Sequence, residues 1–235
     1  MVLPGWVIHS CGIAGTVGFI LMLTPQIVLN ARKKSTEGLS VGLVVLWHFA
    51  AILMAASYIR QPGASAAVLS SAAFVLSSAI LEGQVAAFQP AMVEKKGRFR
   101  SAILLGVTAL CSGLSAGLVV TIACLLGILP SFAAHAVGNA LPSLFLILGF
   151  LPQFREFIET WSIEGYSFGV TIFDVVGSAG NVVVLLASPD SSLQECFVAA
   201  APFLAIIAMH FILLAIATMI ICRPRTCDVY VRATP

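Results

Sequence analysis

Charge is what this sequence has least of. Only 9% of its 235 residues are Asp, Glu, Lys or Arg, against 60% hydrophobic residues, and the mean hydropathy is +1.05. A soluble core cannot hide that much apolar surface, so the composition requires lipid around the chain. Stretches between apolar runs are short and leave no room for a soluble catalytic or ligand-binding domain. There is no nucleotide-binding loop, no histidine and carboxylate cluster at metal spacing, and no nucleophile beside an evident base. The six cysteines, at positions 11, 111, 124, 196, 222 and 227, have no zinc-type spacing and no disulfide framework. We therefore expect no cofactor, no metal and no nucleic-acid partner, and a membrane enzyme is the weakest class.

What the sequence does have is apolar length. Seven runs reach the roughly 20 residues needed to cross a hydrocarbon layer: Trp6 to Asn30, Ser40 to Tyr58, Ala64 to Phe88, Ser101 to Ile128, Ala133 to Phe157, Tyr166 to Leu186 and Cys196 to Cys222. Met1 to Ile20 lacks the basic start of a secretory signal, so the first run is expected to stay as a helix. Basic residues follow the odd-numbered runs: Arg32, Lys33 and Lys34; Lys95, Lys96, Arg98 and Arg100; Arg155; and Arg223, Arg225 and Arg232. Of the 12 Lys and Arg, only Arg60 falls on the other face, leaving 11 together. The positive-inside rule places those in the cytosol, with the N-terminus lumenal and the C-terminus cytosolic.

The chain is also duplicated. A shift of 127 residues (152 minus 25) superimposes Pro25 on Pro152, Gln26 on Gln153, Ser35 on Ser162, Glu37 on Glu164, Gly38 on Gly165, Ser40 on Ser167 and Gly42 on Gly169. Each copy has Pro-Gln near the end of an apolar run, then a polar loop with Glu-Gly, then another run. The fourth run has no counterpart. The expected fold is an all-α membrane protein of seven transmembrane helices, two parallel three-helix repeats joined by a linker helix. Its units are 1–92, a linker at 93–130, 131–222, and a cytosolic tail at 223–235. One added span lets both repeats enter the membrane in the same orientation. Gly113 and Gly117, with Ser112 and Ala116, suit close packing of that linker.

These two motifs, Pro25-Gln26 with Lys34 to Ser40 and Pro152-Gln153 with Ser162 to Ser167, resemble the PQ-loop repeats of the family that holds the lysosomal and vacuolar cystine and cationic amino-acid exporters. SWEET sugar transporters and KDEL receptors are similar in fold. The resemblance implies efflux of an amino acid from an acidic compartment, a lysosome or vacuole. In SWEET-like relatives an asparagine near the place of Asn139 on the fifth helix touches substrate.

The residues themselves favour the same reading. A proline inside a helix removes a donor and frees the carbonyl four residues earlier, Leu21 for Pro25 and Leu148 for Pro152. That carbonyl must find a partner within the membrane, and Gln26 and Gln153 have donors to offer. Pro25, Gln26, Pro152 and Gln153 are thus expected hinge and gating residues. Ser167, Thr171, Asp174, Ser178 and Asn181 recur at spacings of four, three, four and three, a polar stripe with a carboxylate near mid-membrane. His135, Asn139 and Ser143 line a second face, and Ser71, Ser78 and Glu82, with Ser70, Ser77 and Gln84, form stripes on the third run. His48 and His210 read as packed, hydrogen-bonded residues.

The substrate and proton pathway is expected at Asp174, Asn139, Asn181, Ser178, Thr171, Glu82 and His135. His135 and Asn139 are the donors expected near Asp174. Burial disfavours the charged form of a carboxylate, so protons are the natural coupling ion for a transporter moving a small polar solute by alternating access between parallel repeats. A receptor or chaperone of the same fold is the alternative, as in KDEL-like cargo binding or dolichol-sugar use. The cavity of a receptor for acidic tails needs basic residues, which here lie in the loops. The topology has a direct test at Cys227. In sealed vesicles with the cytosolic face inside, of a variant without other exposed thiols, an impermeant maleimide added outside should leave Cys227 unlabelled until detergent is added, and labelling before that overturns the orientation.

Overall fold

A computed structural model of the protein describes residues 3–59, 65–88, 97–187 and 193–223. Arg60, the turn at Gln61-Pro62-Gly63, Lys95, Lys96, Arg225, Cys227 and Arg232 lie outside them, as do the side chains of Arg98 and His135. The described residues form helices without strands: α1 (Gly5–Leu21), α2 (Thr24–Lys33), α3 (Val41–Tyr58), α4 (Ser65–Ala87), α5 (Gly97–Ile128), α6 (Ser131–Thr160), α7 (Phe168–Leu186) and α8 (Leu193–Cys222). With α1 and α2 counted as one segment, Gly5–Lys33, seven spans are long and apolar enough to cross a membrane.

The first span departs from the expectation of one helix kinked at an internal proline. Helical hydrogen bonding lapses at Met22 and Leu23, whose backbone torsions nevertheless stay helical, and Pro25 sits in the first turn of α2. Proline is tolerated there because the first-turn N–H groups have no helical acceptor. In the second copy α6 runs on through both Pro142 and Pro152. One motif therefore restarts a helix and the other lies within one.

Helices pair across the duplication. α1 packs on α7 and α3 on α6, so each pair takes one helix from each half. α4 closes the first half against α3 and α1, and α8 closes the second against α7 and α6. α5 lies outside, against α4 and α3, and is the least buried of the spans. This arrangement fits two three-helix repeats and a linker.

Close backbone approach sets the cross-repeat pairs. A Cβ on Gly18 would lie 2.8 Å from Gly177 and Phe173 backbone, and one on Gly180 would lie 2.5 Å from the Cys11 carbonyl. On α3 and α6, Trp47 fills the space over Gly149, and Ser57 fills that over Gly138. Small residues permit such contact where lipid provides no hydrophobic drive between helices. The expected small-residue contact on α5 is not made: Gly113 and Gly117 have nothing within 4 Å where a Cβ would stand. Their side faces away from the bundle, since α5 packs through Leu104, Thr108 and Ser115 instead.

The two polar loops repeat the backbone as well as the sequence. Lys34 and Trp161 both end their helices in the left-handed region, at φ 51° and 49°, and Gly38 and Gly165 follow at φ 82° and 96°. Ser35 Oγ accepts the Glu37 N–H at 3.1 Å, as Ser162 Oγ accepts that of Glu164 at 3.1 Å. Gly38 and Gly165 then meet back to back. A Cβ on either would collide with the glutamate carbonyl of the other loop and lie 3.2 Å from the other glycine's Cα. Only glycine combines that φ with that proximity. Gly38→Ala and Gly165→Ala should each destabilise the protein by about 1–3 kcal/mol, seen as a lower denaturation temperature in detergent. Gly113→Ala should be neutral or slightly stabilising, and equal temperatures for all three would refute the loop contact.

Candidate functional site

The Pro-Gln elements act across the duplication rather than within their own helices. Gln26 Nε2 donates to the Gly165 carbonyl at 2.8 Å, and Gln26 Oε1 accepts the Ser167 N–H at 2.7 Å. In the mirror arrangement Gln153 Nε2 donates to the Gly38 carbonyl at 2.9 Å and Oε1 accepts the Ser40 N–H at 2.9 Å. Ser40 and Ser167 are the N-cap residues of α3 and α7, and neither supplies a side-chain cap. Each glutamine thus satisfies the N-cap N–H of a helix in the opposite half, a task that a Glu or Gln at N3, in the first turn, performs within one helix in a capping box. Neither amide goes to the carbonyl freed by its proline, as the sequence had suggested. The prolines pack instead on the opposite glycines, Pro25 on Gly169 and Pro152 on Gly42.

The first glutamine has more to hold. Gln26 Nε2 also donates to Asn30 Oδ1 at 2.7 Å; Asn30 Nδ2 donates to Gln84 Oε1 at 3.0 Å, and Gln84 Nε2 donates to the Ile27 carbonyl at 3.0 Å. This chain fixes α2 on α4. The 127-residue shift places Phe157 and Phe211 opposite Asn30 and Gln84; Phe157 is buried and Phe211 is exposed, so the hydrogen-bonded chain has no counterpart at those positions. Phe157 is fully buried against Tyr166, with ring centroids 5.5 Å apart. Tyr166 itself stands in the loop before α7, its hydroxyl 3.3 Å from Thr171 Oγ1, and burial keeps its phenol well above the ordinary range and so protonated.

Inward from the clamps, between Gln26, Leu43, Trp47, Ser78 and Tyr166, lies a cavity of about 10 Å³, the space of one water. Trp47 forms its floor. The indole is edge-on to Phe150 at 5.2 Å and to His210 at 6.4 Å. His210 Nε2 lies 2.8 Å from Asp174 Oδ2, with both side chains at most 1% exposed. Around this pair four buried polar atoms have no partner: Trp47 Nε1, Asp174 Oδ1, Ser178 Oγ and His210 Nδ1. Two helices of one half and one of the other therefore converge on unmet hydrogen-bonding capacity at the interface of the repeats.

A second ionisable pair lies off this axis. His48 Nδ1 is 2.9 Å from Glu82 Oε1, and His48 Nε2 is 2.7 Å from Ser115 Oγ on α5. Among the described residues, the partner of Glu82 is thus a histidine.

The structure sorts the expected site residues. Thr171, Asp174 and Ser178 are buried on the bundle side of α7, and Asn181 beside them donates to the Gly177 carbonyl of its own helix at 2.8 Å. Asn139 is buried on α6 but not near Asp174: its neighbour Gly138 meets Ser57, ten residues beyond Trp47 on α3, about 15 Å along the helix. His135 carries no description of its side chain. The partner beside Asp174 is His210, whose place in the sequence reads as that of a packed residue. A signal for it was present. Each half holds one histidine and one carboxylate on its second and third helices, His48 with Glu82 and Asp174 with His210, at separations of 34 and 36 residues (82 minus 48, 210 minus 174).

Residues 7–65 match the family model described as PQ loop repeat. The chain is also 28% identical over 181 residues to an uncharacterized protein of Schizosaccharomyces pombe, an alignment covering 75% of this chain and 60% of that relative. The match at residues 7–65 contains Pro25-Gln26 and the loop to Gly42, and the same clamp recurs at Pro152-Gln153 on a bundle with seven spans. Residues 7–65 are thus similar to a PQ loop repeat, and the seven apolar helices among the described residues fit a multi-pass membrane protein built on that repeat.

Proposed function

We propose that the protein is a secondary transporter that moves a small polar solute, an amino acid, out of an acidic organelle by proton-coupled alternating access. The observation that carries this reading is the set of unpaired polar atoms at the repeat interface. Each buried group without a partner costs about 1–3 kcal/mol, so four around one carboxylate favour a site that is filled during the working cycle. Their chemistry suits a zwitterion: Asp174 Oδ1 accepts from an ammonium, while Trp47 Nε1 and the Ser178 hydroxyl donate to a carboxylate. The Asp174–His210 pair is the proposed coupling site, because both members can exchange a proton. The lysosomal or vacuolar membrane and a cytosolic basic end are part of the proposal, supported by the placement of Arg32, Lys33, Lys34 and Arg155.

The glutamine clamps are the proposed gate. They close the end of the bundle that carries the Pro-Gln loops, and the break at Met22–Leu23 beside Gln26 supplies a hinge in the first half. In the second half the hinge is Pro152, whose missing N–H weakens α6 at the same level. Loosening either clamp strands one backbone N–H and one carbonyl.

Reconstitution into proteoliposomes with an imposed pH gradient, screened with amino acids and then sugars, tests the proposal. Asp174→Asn should abolish gradient-driven accumulation while equal-pH exchange of labelled solute survives. Accumulation by that variant at the original rate removes Asp174 as the coupling site, and solute binding without any uptake by the original protein favours a receptor. Gln153→Ala should weaken the closed form by about 1–3 kcal/mol, roughly 5- to 150-fold in population, read as faster thiol labelling of a cysteine placed at Leu43. Pro25→Ala and Pro152→Ala should slow transport in folded protein, and undiminished rates in both make the prolines static packing features.

A further inference from the structure

The donor count around His48 cannot be met by a neutral imidazole beside an ionised carboxylate. Ser115 Oγ lies 2.6 Å from the Cys111 carbonyl of its own helix, a distance that requires its one proton to point there. The Ser115 oxygen is then an acceptor, so His48 Nε2, 2.7 Å away, must carry a proton. His48 Nδ1 meets Glu82 Oε1 at 2.9 Å, and a proton lies between those two atoms as well. The group holds one proton more than neutral histidine with ionised glutamate. Imidazole is the more basic of the two side chains, which places the extra proton on His48.

From these directions we infer that His48 and Glu82 form a second proton-binding site, occupied in this structure, whose bound proton fastens the linker helix α5 to the first repeat through Ser115. The site is separate from Asp174–His210 and does not rest on the transport reading. His48 and Ser115 are buried, while the Glu82 side chain keeps 18% of its exposure. Loss of the proton turns Nε2 into an acceptor facing an oxygen whose hydrogen is engaged elsewhere. Two lone pairs 2.7 Å apart repel, so α5 must shift or Ser115 must rotate away from Cys111.

Neighbouring charges do not supply another explanation. From α5 the titratable group at the pair is Cys111, and Arg100 stands 11 residues earlier, about 16 Å along the helix. From α6, Arg155 and Glu159 are exposed and paired with each other at 2.7 Å. From the first span, Arg32 and Lys33 are exposed beyond the clamp. The order Glu82, His48, Ser115 is also that of a hydrolytic triad. Ser115 is 2% exposed, however, and its proton is directed to Cys111 rather than to the imidazole, so the serine is a helix anchor.

In the second half the shift by 127 puts Val175 and Met209 opposite His48 and Glu82, and the histidine and carboxylate of that half, His210 and Asp174, face the repeat interface rather than α5. Only the repeat that binds α5 carries the device.

Nitrogen-15 spectroscopy of histidine-labelled protein in lipid nanodiscs, with His48 assigned by the loss of its signals in His48→Gln, tests the inference. At neutral pH both ring nitrogens of His48 should be protonated, and one bare nitrogen together with an ionised Glu82 in the infrared would overturn the site. Ser115→Ala should lower the proton affinity about tenfold, whereas Ser115→Thr should restore it, and an unchanged titration in Ser115→Ala refutes the role of the serine. Amide hydrogen exchange in α5, corrected for intrinsic rates, should rise about tenfold when His48 loses its proton. Exchange that ignores the titration refutes the fastening. Asp174→Asn serves as the control: its His48 signals should match those of the original protein even where gradient-driven uptake is gone, so the two proposals fail separately.

Discussion

Everything in this bundle depends on two side-chain amides that bond to the backbone of the other half. In a membrane interior no water is present to take up a stray N–H or carbonyl, yet each polar loop leaves both at the start of a helix. A glutamine supplies a donor and an acceptor from one planar group, which fits that pair. Gln26 and Gln153 each do so at 2.7 to 2.9 Å. Because the partners lie in opposite repeats, the interaction both completes the helices and holds the halves together at one end.

The clamp explains the neighbouring residues of the motif. The proline must be small and rigid where it rests on Gly169 or Gly42, and the glycine of each loop must accept a left-handed backbone while touching its twin. Outside the clamp the halves diverge. Asn30 and Gln84 tie the first half together by hydrogen bonds, where Phe157 and Phe211 stand in the second. The first span is broken beside its proline, and the corresponding helix is continuous. The two halves are thus alike in how they meet and unlike in how each is built.

The same division applies to the ionisable residues. Both halves hold a histidine against a carboxylate, with the order of the two reversed between repeats. Asp174 and His210 face the repeat interface, close to Trp47 of the first half. His48 and Glu82 face the linker helix. One pair therefore lies at the interface of the halves and the other on the flank, against the linker helix.

The sequence by itself determined the lipid environment, the number of spans and the duplication, because apolar length and a gap-free repeat are properties of one dimension. It also marked Pro25, Gln26, Pro152 and Gln153, and the buried stripe of Thr171, Asp174 and Ser178, since period and spacing need no third coordinate. What the amides bind was decided by the tertiary structure: a proline nearby suggests a local carbonyl, whereas Gly165 and Gly38 lie 139 and 115 residues away. The partner of Asp174 was decided there too. Asn139 and His135 lie on a face of the sequence that looks as polar as any other, but register against α3 sets Asn139 some turns from the carboxylate, and His210 occupies the place beside it. Helical period tells which residues share a face, and only packing tells which face another helix presents to it at the same depth.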